Sequence, residues 1–530
     1  MHTPADPGAS PASSPEPDRD TSPMRASHAD DTPARASHTD DTPARKPHDD
    51  DALSPRDRSV IALLLVSAFV VILNETILSV ALPPIMRDLG IVETTAQWLT
   101  TGFMLTMAVV IPITGYLMGR FSTRQVFTAA MSAFSLGTLI CALSPSFLPL
   151  LMGRIVQATG TAIMMPLLMT TVLNLVPRHR QGRVMGNISV VISVAPALGP
   201  TISGAVLAFA PWRMLFVLVL PIALTALVLG LRRIQNVNEP NHRPADPLSV
   251  MLSAIGFGTL VYGLTGIGGG GGHGGGASEV EAPSGMPVTS VVCLVIGVLA
   301  LAVFVWRQRV LQRTDSALLD LRTFASRNFT VAVVLMMVMM SAMFGTVVLL
   351  PIFLQQVLEL STLTVGLMML PGGLIMGLAA PGVGRLFDRF GPRPLLTPGL
   401  VLVVAGVFIL SRVGLDSTPS LVVVGHVVMS IGLSLVFTPL MTTALGSLPK
   451  PLYPHGSAIV GTVQQVAGAA GAAVMVALMS RVAAGVAADG GSPIEGVAQG
   501  TSLAFLVSAG LGLLTVVISL FIRRNPDTDD

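Results

Sequence analysis

From Ser59 onward the chain alternates long apolar stretches with short clusters of Arg, Asp, Gly, Pro and Ser. A helix needs about 20 residues to cross a hydrocarbon core. By that measure the pattern predicts fourteen spans, at 60–85, 96–118, 126–143, 147–175, 184–209, 213–231, 248–267, 288–306, 328–354, 363–384, 394–411, 419–445, 456–480 and 501–522. The first run is broken by Leu73-Asn74-Glu75-Thr76-Ile77, which places a carboxylate where the helix lies deepest. A charge at mid-span costs about 2.5–3.5 kcal/mol on insertion scales, so such a residue is expected to face a bundle interior or a watery cavity and to work there.

Composition agrees with this pattern. Of 530 residues 51% are hydrophobic and 11% charged, with a mean hydropathy of +0.72. That is too little charge to cover a soluble protein of this size, and an all-α polytopic membrane protein is expected. The net charge of +2 comes from Lys and Arg scattered through loops, so nucleic acid is not an expected partner. Cys141 and Cys293 both fall in apolar runs and suggest neither a disulfide framework nor a metal site. No nucleophile, metal cluster, cofactor loop or nucleotide-binding segment stands out, so neither an enzyme nor a bound cofactor is expected, and ATP is not the expected energy source.

Charge asymmetry orients the spans, because Lys and Arg gather in cytoplasmic loops. With the amino terminus inside, nineteen of the 31 Lys and Arg fall in cytoplasmic segments after the tail, and the opposite side holds only Arg87, Arg213, Arg412 and Arg481. Both termini are therefore expected in the cytoplasm of a multi-pass cell-membrane protein. Arg154, in the fourth span, is the single Lys or Arg within a span. Measured from the outer ends of their helices, Glu75 and Arg154 lie about 15 and 10 Å deep, a gap that long side chains close. The plain alternative for Glu75 is a structural ion pair. The other carboxylate near a span, Glu359, sits at the outer end of the ninth.

Residues 1–57 are rich in Pro, Ser, Asp and Ala and repeat a ten-residue unit, ASHADDTPAR at 26–35 and ASHTDDTPAR at 36–45. A disordered cytoplasmic tail is expected, without a signal peptide. His28, His38 and His48 recur with the repeat, whose duplication accounts for their spacing without metal binding. Residues 266–276 (GIGGGGGHGGG) read as a flexible linker between the seventh and eighth spans.

Two loops share a pattern: Gly115 to Arg124 (GYLMGRFSTR) and Gly384 to Arg393 (GRLFDRFGPR). They join the second span to the third and the tenth to the eleventh, which implies two six-helix halves related as parallel repeats, with two spans inserted between them. The expected organisation is a tail at 1–57, a first bundle at 58–235, the inserted pair at 236–310, a second bundle at 311–524 and a tail at 525–530.

On these motifs the chain resembles the fourteen-span drug:proton antiporters of the major facilitator superfamily, from Ser59 to Arg524. Within that family the wording at Leu73–Pro83, Gln97–Thr101 and Phe121–Gln125 is most similar to lincomycin-efflux proteins. The family's loop signature is complete at Gly384, Leu386, Asp388, Arg389, Gly391 and Arg393. The first copy keeps Gly115, Arg120 and Arg124 but has Gly119 at the aspartate position and Ser122 at the second glycine position. The resemblance implies that these loops hold one conformational state through charge contacts, a role the departure shifts toward Asp388 and Arg389. Gly153 to Gly160 resembles the family's intramembrane arginine motif. Gly186, Ala195, Gly199, Pro200, Ser203 and Gly204 resemble its antiporter motif in the fifth span. The family's acidic residue in the first span falls at Asn74, so the titrating role passes to Glu75 by inference.

The implied function is export of amphipathic drugs, lincosamide-like or varied, in exchange for protons, by a monomer that alternates access. Two alternatives stay open: a dedicated exporter of one endogenous metabolite, such as a self-made antibiotic or siderophore, and a membrane sensor without transport. Candidate substrate contacts are Asn74, Gln97, Thr101, Phe103, Gln157, Asn187, Met343, Gln355 and Gln464. Met336, Met337, Met339 and Met340 crowd the ninth span beside Met343, and so many in so short a stretch must cover more than one helix face, most of them in packing or lipid contact.

Overall fold

The computed structural model describes residues 54–177, 180–234, 236, 246–267, 288–314 and 316–520, apart from the side chains of a few helical residues, Pro200 among them. The tail repeat with its three histidines, the Gly-rich run at 268–276 and residues 521–530 lie outside the described residues.

Fourteen helices long and apolar enough to cross a membrane are present among the described residues. They are α1 (Pro55–Leu89), α2 (Glu93–Arg120), α3 (Thr123–Leu143), α4 (Phe147–Leu175), α5 (Gln181–Leu207), α6 (Arg213–Arg233), α7 (Pro247–Ile267), α8 (Val288–Leu311), α9 (Arg327–Gln356), α10 (Thr362–Phe390), α11 (Arg393–Leu410), α12 (Pro419–Gly446), α13 (Tyr453–Ala488) and α14 (Pro493–Ser519). Each coincides with one predicted span. Local chemistry sets the ends that apolar runs do not mark. The helix-forming sequence after Arg481 carries α13 on to Ala488, well past the predicted 480. Then Ser492, whose hydroxyl accepts the Glu495 N–H, and Pro493 in the first turn start α14 before the predicted 501.

The packing repeats with an offset of eight helices. α1 packs on α4, α5 and α6, and α9 on α12, α13 and α14; α2 packs on α4, and α10 on α12; α3 packs on α4 and α6, and α11 on α12 and α14. In both halves glycines let the third and fourth helices touch backbone to backbone: Gly137, Gly153 and Gly160 between α3 and α4, and Gly406 and Gly432 between α11 and α12. Close approach of this kind supplies dispersion contact where lipid leaves no hydrophobic drive between helices. The halves meet where α5 packs on α10 and α12, and where α13 packs on α2 and α4, pairs that exchange under the same offset.

The inserted helices pack on each other, and α7 also reaches both α2 and α13, so the pair lies against the second seam. Trp98 of α2 stacks on Tyr262 of α7 with ring centroids 6.0 Å apart. At the other end of the hairpin Arg307 grips Asp246 with two hydrogen bonds of 2.6 and 2.9 Å. Contacts place the starts of α1, α5 and α13 and the ends of α2, α6 and α10 on one face, which we call the terminal face.

Candidate functional site

Arg154 is seated by side chains of three helices in the first half. It is 1% exposed, on α4, in an apolar surround that no guanidinium enters without partners. Its Nη1 donates to Gln157 Oε1 at 2.7 Å, one turn further along the helix. The Gln157 amide in turn donates to Thr138 Oγ1 of α3 at 2.8 Å, and the Phe103 ring of α2 lies under the guanidinium, 4.1 Å from Cζ. Three helices thus fix one cation, leaving its Nε without a hydrogen-bond partner.

Glu75 is half-buried on α1, which packs against α4, and no ion pair within 4.0 Å joins it to Arg154. Its neighbour Asn74 is buried, with an amide Nδ2 that also lacks a partner. A carboxylate and a cation therefore share this part of the bundle without neutralising one another by contact.

The expected substrate contacts separate by environment. Phe103 is buried beneath Arg154, and Gln157 is occupied at both ends of its amide, so both serve the arginine seat. Gln97, Thr101, Met343 and Gln355 are half-buried, and Asn187 is exposed. Gln464 of α13 directs its amide to the Met336 sulfur of α9, 3.7 Å away. Met336, Met339 and Met340 lie in the core and Met337 faces outward, so the methionines do cover several faces of α9.

On the terminal face the two seams differ. Asp388, near the end of α10, accepts the backbone N–H of Gly182 at 2.8 Å and that of Arg183 at 2.9 Å. These belong to the first turn of α5, where Arg180 offers no side-chain cap. Unpaired N–H groups and the positive end of the helix dipole meet there, and a carboxylate satisfies both. Gly384 packs on Gly182, and Gly186 on Ala380 and Pro381, so backbones touch at the terminal-face end of the seam. Gly391 ends α10 with φ of 78°, a left-handed conformation that suits glycine.

The loop after α2 turns differently. Ser122 sits at φ of −67° and forms a capping box with Gln125 to start α3, so no left-handed residue is needed. A Cβ added at Gly119, at the position of Asp388, would meet nothing within 4 Å, while Gly115 packs on His455 and Ala458 of α13. Arg124 is exposed, Arg120 has a buried Nη1 without a hydrogen-bond partner, and Arg389 lies over Phe390 at 5.1 Å.

Of the fifth-span motif, Gly199 packs directly on Thr76, the residue after Glu75. Gly204 is exposed and a Cβ there would meet nothing within 4 Å, so it does not mediate the close helix approach its motif suggests. Pro200's side chain lies outside the described residues.

Two histidines with buried ring nitrogens escape a reading based on Asp, Glu, Lys and Arg. His426 of α12 is buried against Gly372 of α10, beside Ser430, with Nδ1 unpartnered. His455 opens α13 at the Gly115 contact, also with a buried, unpartnered Nδ1. The signal for His426 was its isolation in the apolar run at 419–445.

The sequence model of the Major Facilitator Superfamily matches residues 64–472. Lincomycin resistance protein LmrB of Listeria monocytogenes is 39% identical over 88% of this chain and 96% of its own length. A multidrug resistance protein B homolog of Mycobacterium tuberculosis is 32% identical over 77% and 73%. Among solved structures, the human organic anion transporter MFSD10 superposes with a TM-score of 0.62 at 15% identity, covering 88% of this chain and all of that one. The proton:xylose symporter XylE superposes with a TM-score of 0.60 at 14% identity, over 89% and 97%. With the family's sequence model matching most of its length and a relative 39% identical over 88% of it, this chain belongs to the Major Facilitator Superfamily.

Proposed function

We propose that the protein exports amphipathic drugs across the cytoplasmic membrane in exchange for protons, as a monomer with the terminal face in the cytoplasm. The names of relatives, lincomycin resistance and multidrug resistance, support the substrate class. The excess of Arg in terminal-face loops supports the orientation. The observation that carries the coupling is a half-buried carboxylate, Glu75, on α1, a helix that packs against α4, which holds the buried Arg154.

The geometry suggests a sequence of events. The contacts of Gly182 with Asp388 and of Gly115 with His455 hold the halves together at the terminal face. In that posture Glu75 takes a proton from outer water while the drug departs. When the halves rock and the terminal face opens, Glu75 meets cytoplasmic water and releases the proton, and a new drug molecule enters. Arg154 stays charged throughout, so each change at Glu75 alters the balance of charge in the cavity. That change is what a neutral or cationic amphipath senses as it binds or leaves.

The test is drug-dependent proton movement in inverted vesicles. Glu75→Gln at normal expression is expected to abolish acid-driven uptake while energy-independent exchange of drug for drug persists. Retention of full proton-driven uptake would overturn this reading.

A further inference from the structure

On the outer flank of the first half, away from both seams, a groove of about 500 Å³ runs between α1 and α6. Its terminal-face end is polar: Arg233, the last residue of α6, donates from Nη1 to the hydroxyl of Ser59 on α1 at 3.1 Å. Arg232 adjoins it, and Arg56 and Arg58 lie in the first turn of α1. The single acid of that turn, Asp57, accepts from the Ser54 hydroxyl at 2.8 Å and is drawn into the helix cap. Further along, the groove is wholly apolar apart from Thr225. Ala62, Val66, Pro221, Ile222 and Leu229 form its walls over a floor of Leu63 and Ala226. The Thr225 hydroxyl is turned back onto the Pro221 carbonyl at 2.7 Å, so it offers no donor to the groove.

The groove therefore has cations at one end only, at the level where an α-helix leaves the hydrocarbon, and an apolar slot leading toward mid-membrane. From Ser59 to Val66 the slot extends about 10 Å along α1. We propose that it binds one anionic phospholipid of the terminal-face leaflet. The phosphate sits on Arg233 with Arg232 and Arg58 around it, and an acyl chain lies over Leu63 and Ala226. A zwitterionic lipid carries its own cation beside the phosphate and gains less from this arginine cluster. A protein partner would leave the guanidinium end and the narrow apolar slot poorly matched, whereas a lipid matches both with one molecule. Basic pockets between spanning helices recognise anionic headgroups in this manner, and each arginine near the surface is worth about a fivefold change in affinity.

The test uses the purified full chain in detergent, incubated with equal amounts of phosphatidylglycerol and phosphatidylcholine, with retained lipid read by native mass spectrometry. Wild type is expected to retain one tightly held phosphatidylglycerol with at least about fivefold preference. Arg233→Gln should cut the preference about fivefold, and Arg233→Lys should keep most of it. Ala62→Trp fills the slot without changing charge and should remove the tightly held lipid altogether. Equal retention of the two lipids by wild type overturns the proposal. So does a preference that survives both Arg233→Gln and Ala62→Trp, or a bound second copy of the chain that Ala62→Trp releases.

Discussion

Asp388 accepts the backbone N–H of Gly182 at 2.8 Å, so α5 of one half takes its helix cap from α10 of the other. The contact is conditional on how the halves sit, since a cap supplied across a seam exists only while the seam is closed.

Removing that cap should shift the balance between states. A hydrogen bond to a charged group contributes about 1.5–3 kcal/mol, so Asp388→Ala should move the population toward an open terminal face by about tenfold or more. Asp388→Asn keeps one accepting oxygen and should shift it less. Spin labels at Arg124 and Lys450 would report this as a longer distance. Identical distance distributions in wild type and Asp388→Ala would show that the cap does not hold the seam.

Arg154 and Glu75 should fail in different ways. Arg154→Ala strands the Gln157 carbonyl oxygen, at a cost of about 1–3 kcal/mol, and exposes the Phe103 face, so thermal stability in detergent should fall together with transport. Arg154→Lys keeps the charge but cannot both stack flat and reach Gln157, so it should rescue stability only in part. Glu75→Gln should melt close to wild type. Equal destabilisation by Glu75→Gln and Arg154→Ala would mean that the carboxylate is structural.

The fifth-span glycines should separate by their neighbours. Gly199→Leu drives a side chain into Thr76, beside Glu75, and should abolish transport while the protein remains in the membrane. Gly204→Ala meets open space and should leave uptake within about twofold of wild type, with the helix gaining slightly from alanine's better propensity. Loss of uptake in Gly204→Ala, measured in the same vesicles, would assign that position a role beyond packing.

The hairpin of inserted helices offers a test in pH. The two Arg307 hydrogen bonds hold the Asp246 carboxyl well below the ordinary carboxylate value of about 3.9, with Ser249 adding to the effect. Because the folded value is depressed, this stability is complete above the ordinary value and is lost only as pH falls through the lower one. Asp246→Asn should therefore lower the melting temperature by the same roughly 1–3 °C at pH 5 and pH 8. A gap that narrows between those values would place the carboxylate outside Arg307's hold.

The fourteen helices were legible because lipid demands one simple thing of a span, an apolar run of sufficient length. The repeat was legible because its loops keep matching residues at Gly115 and Gly384. What Asp388 touches was not, since Gly182 is remote in sequence and only packing brings them together. Phe103 looked like a candidate for a drug surface because an aromatic ring carries no mark of what lies above it. His426 passed unnoticed because a lone histidine barely perturbs an apolar run.

Gly119 stands in open space where its counterpart Asp388 caps a helix. A fold made of two copies has, in principle, a spare for each of its fastenings, and damage to one is covered by its twin. Here the spare has gone from the second seam. A lesion or small molecule that reaches the carboxylate of Asp388 therefore removes the one polar cap of the pair, and only the apposition of Gly115 with His455 and Ala458 remains on the other side.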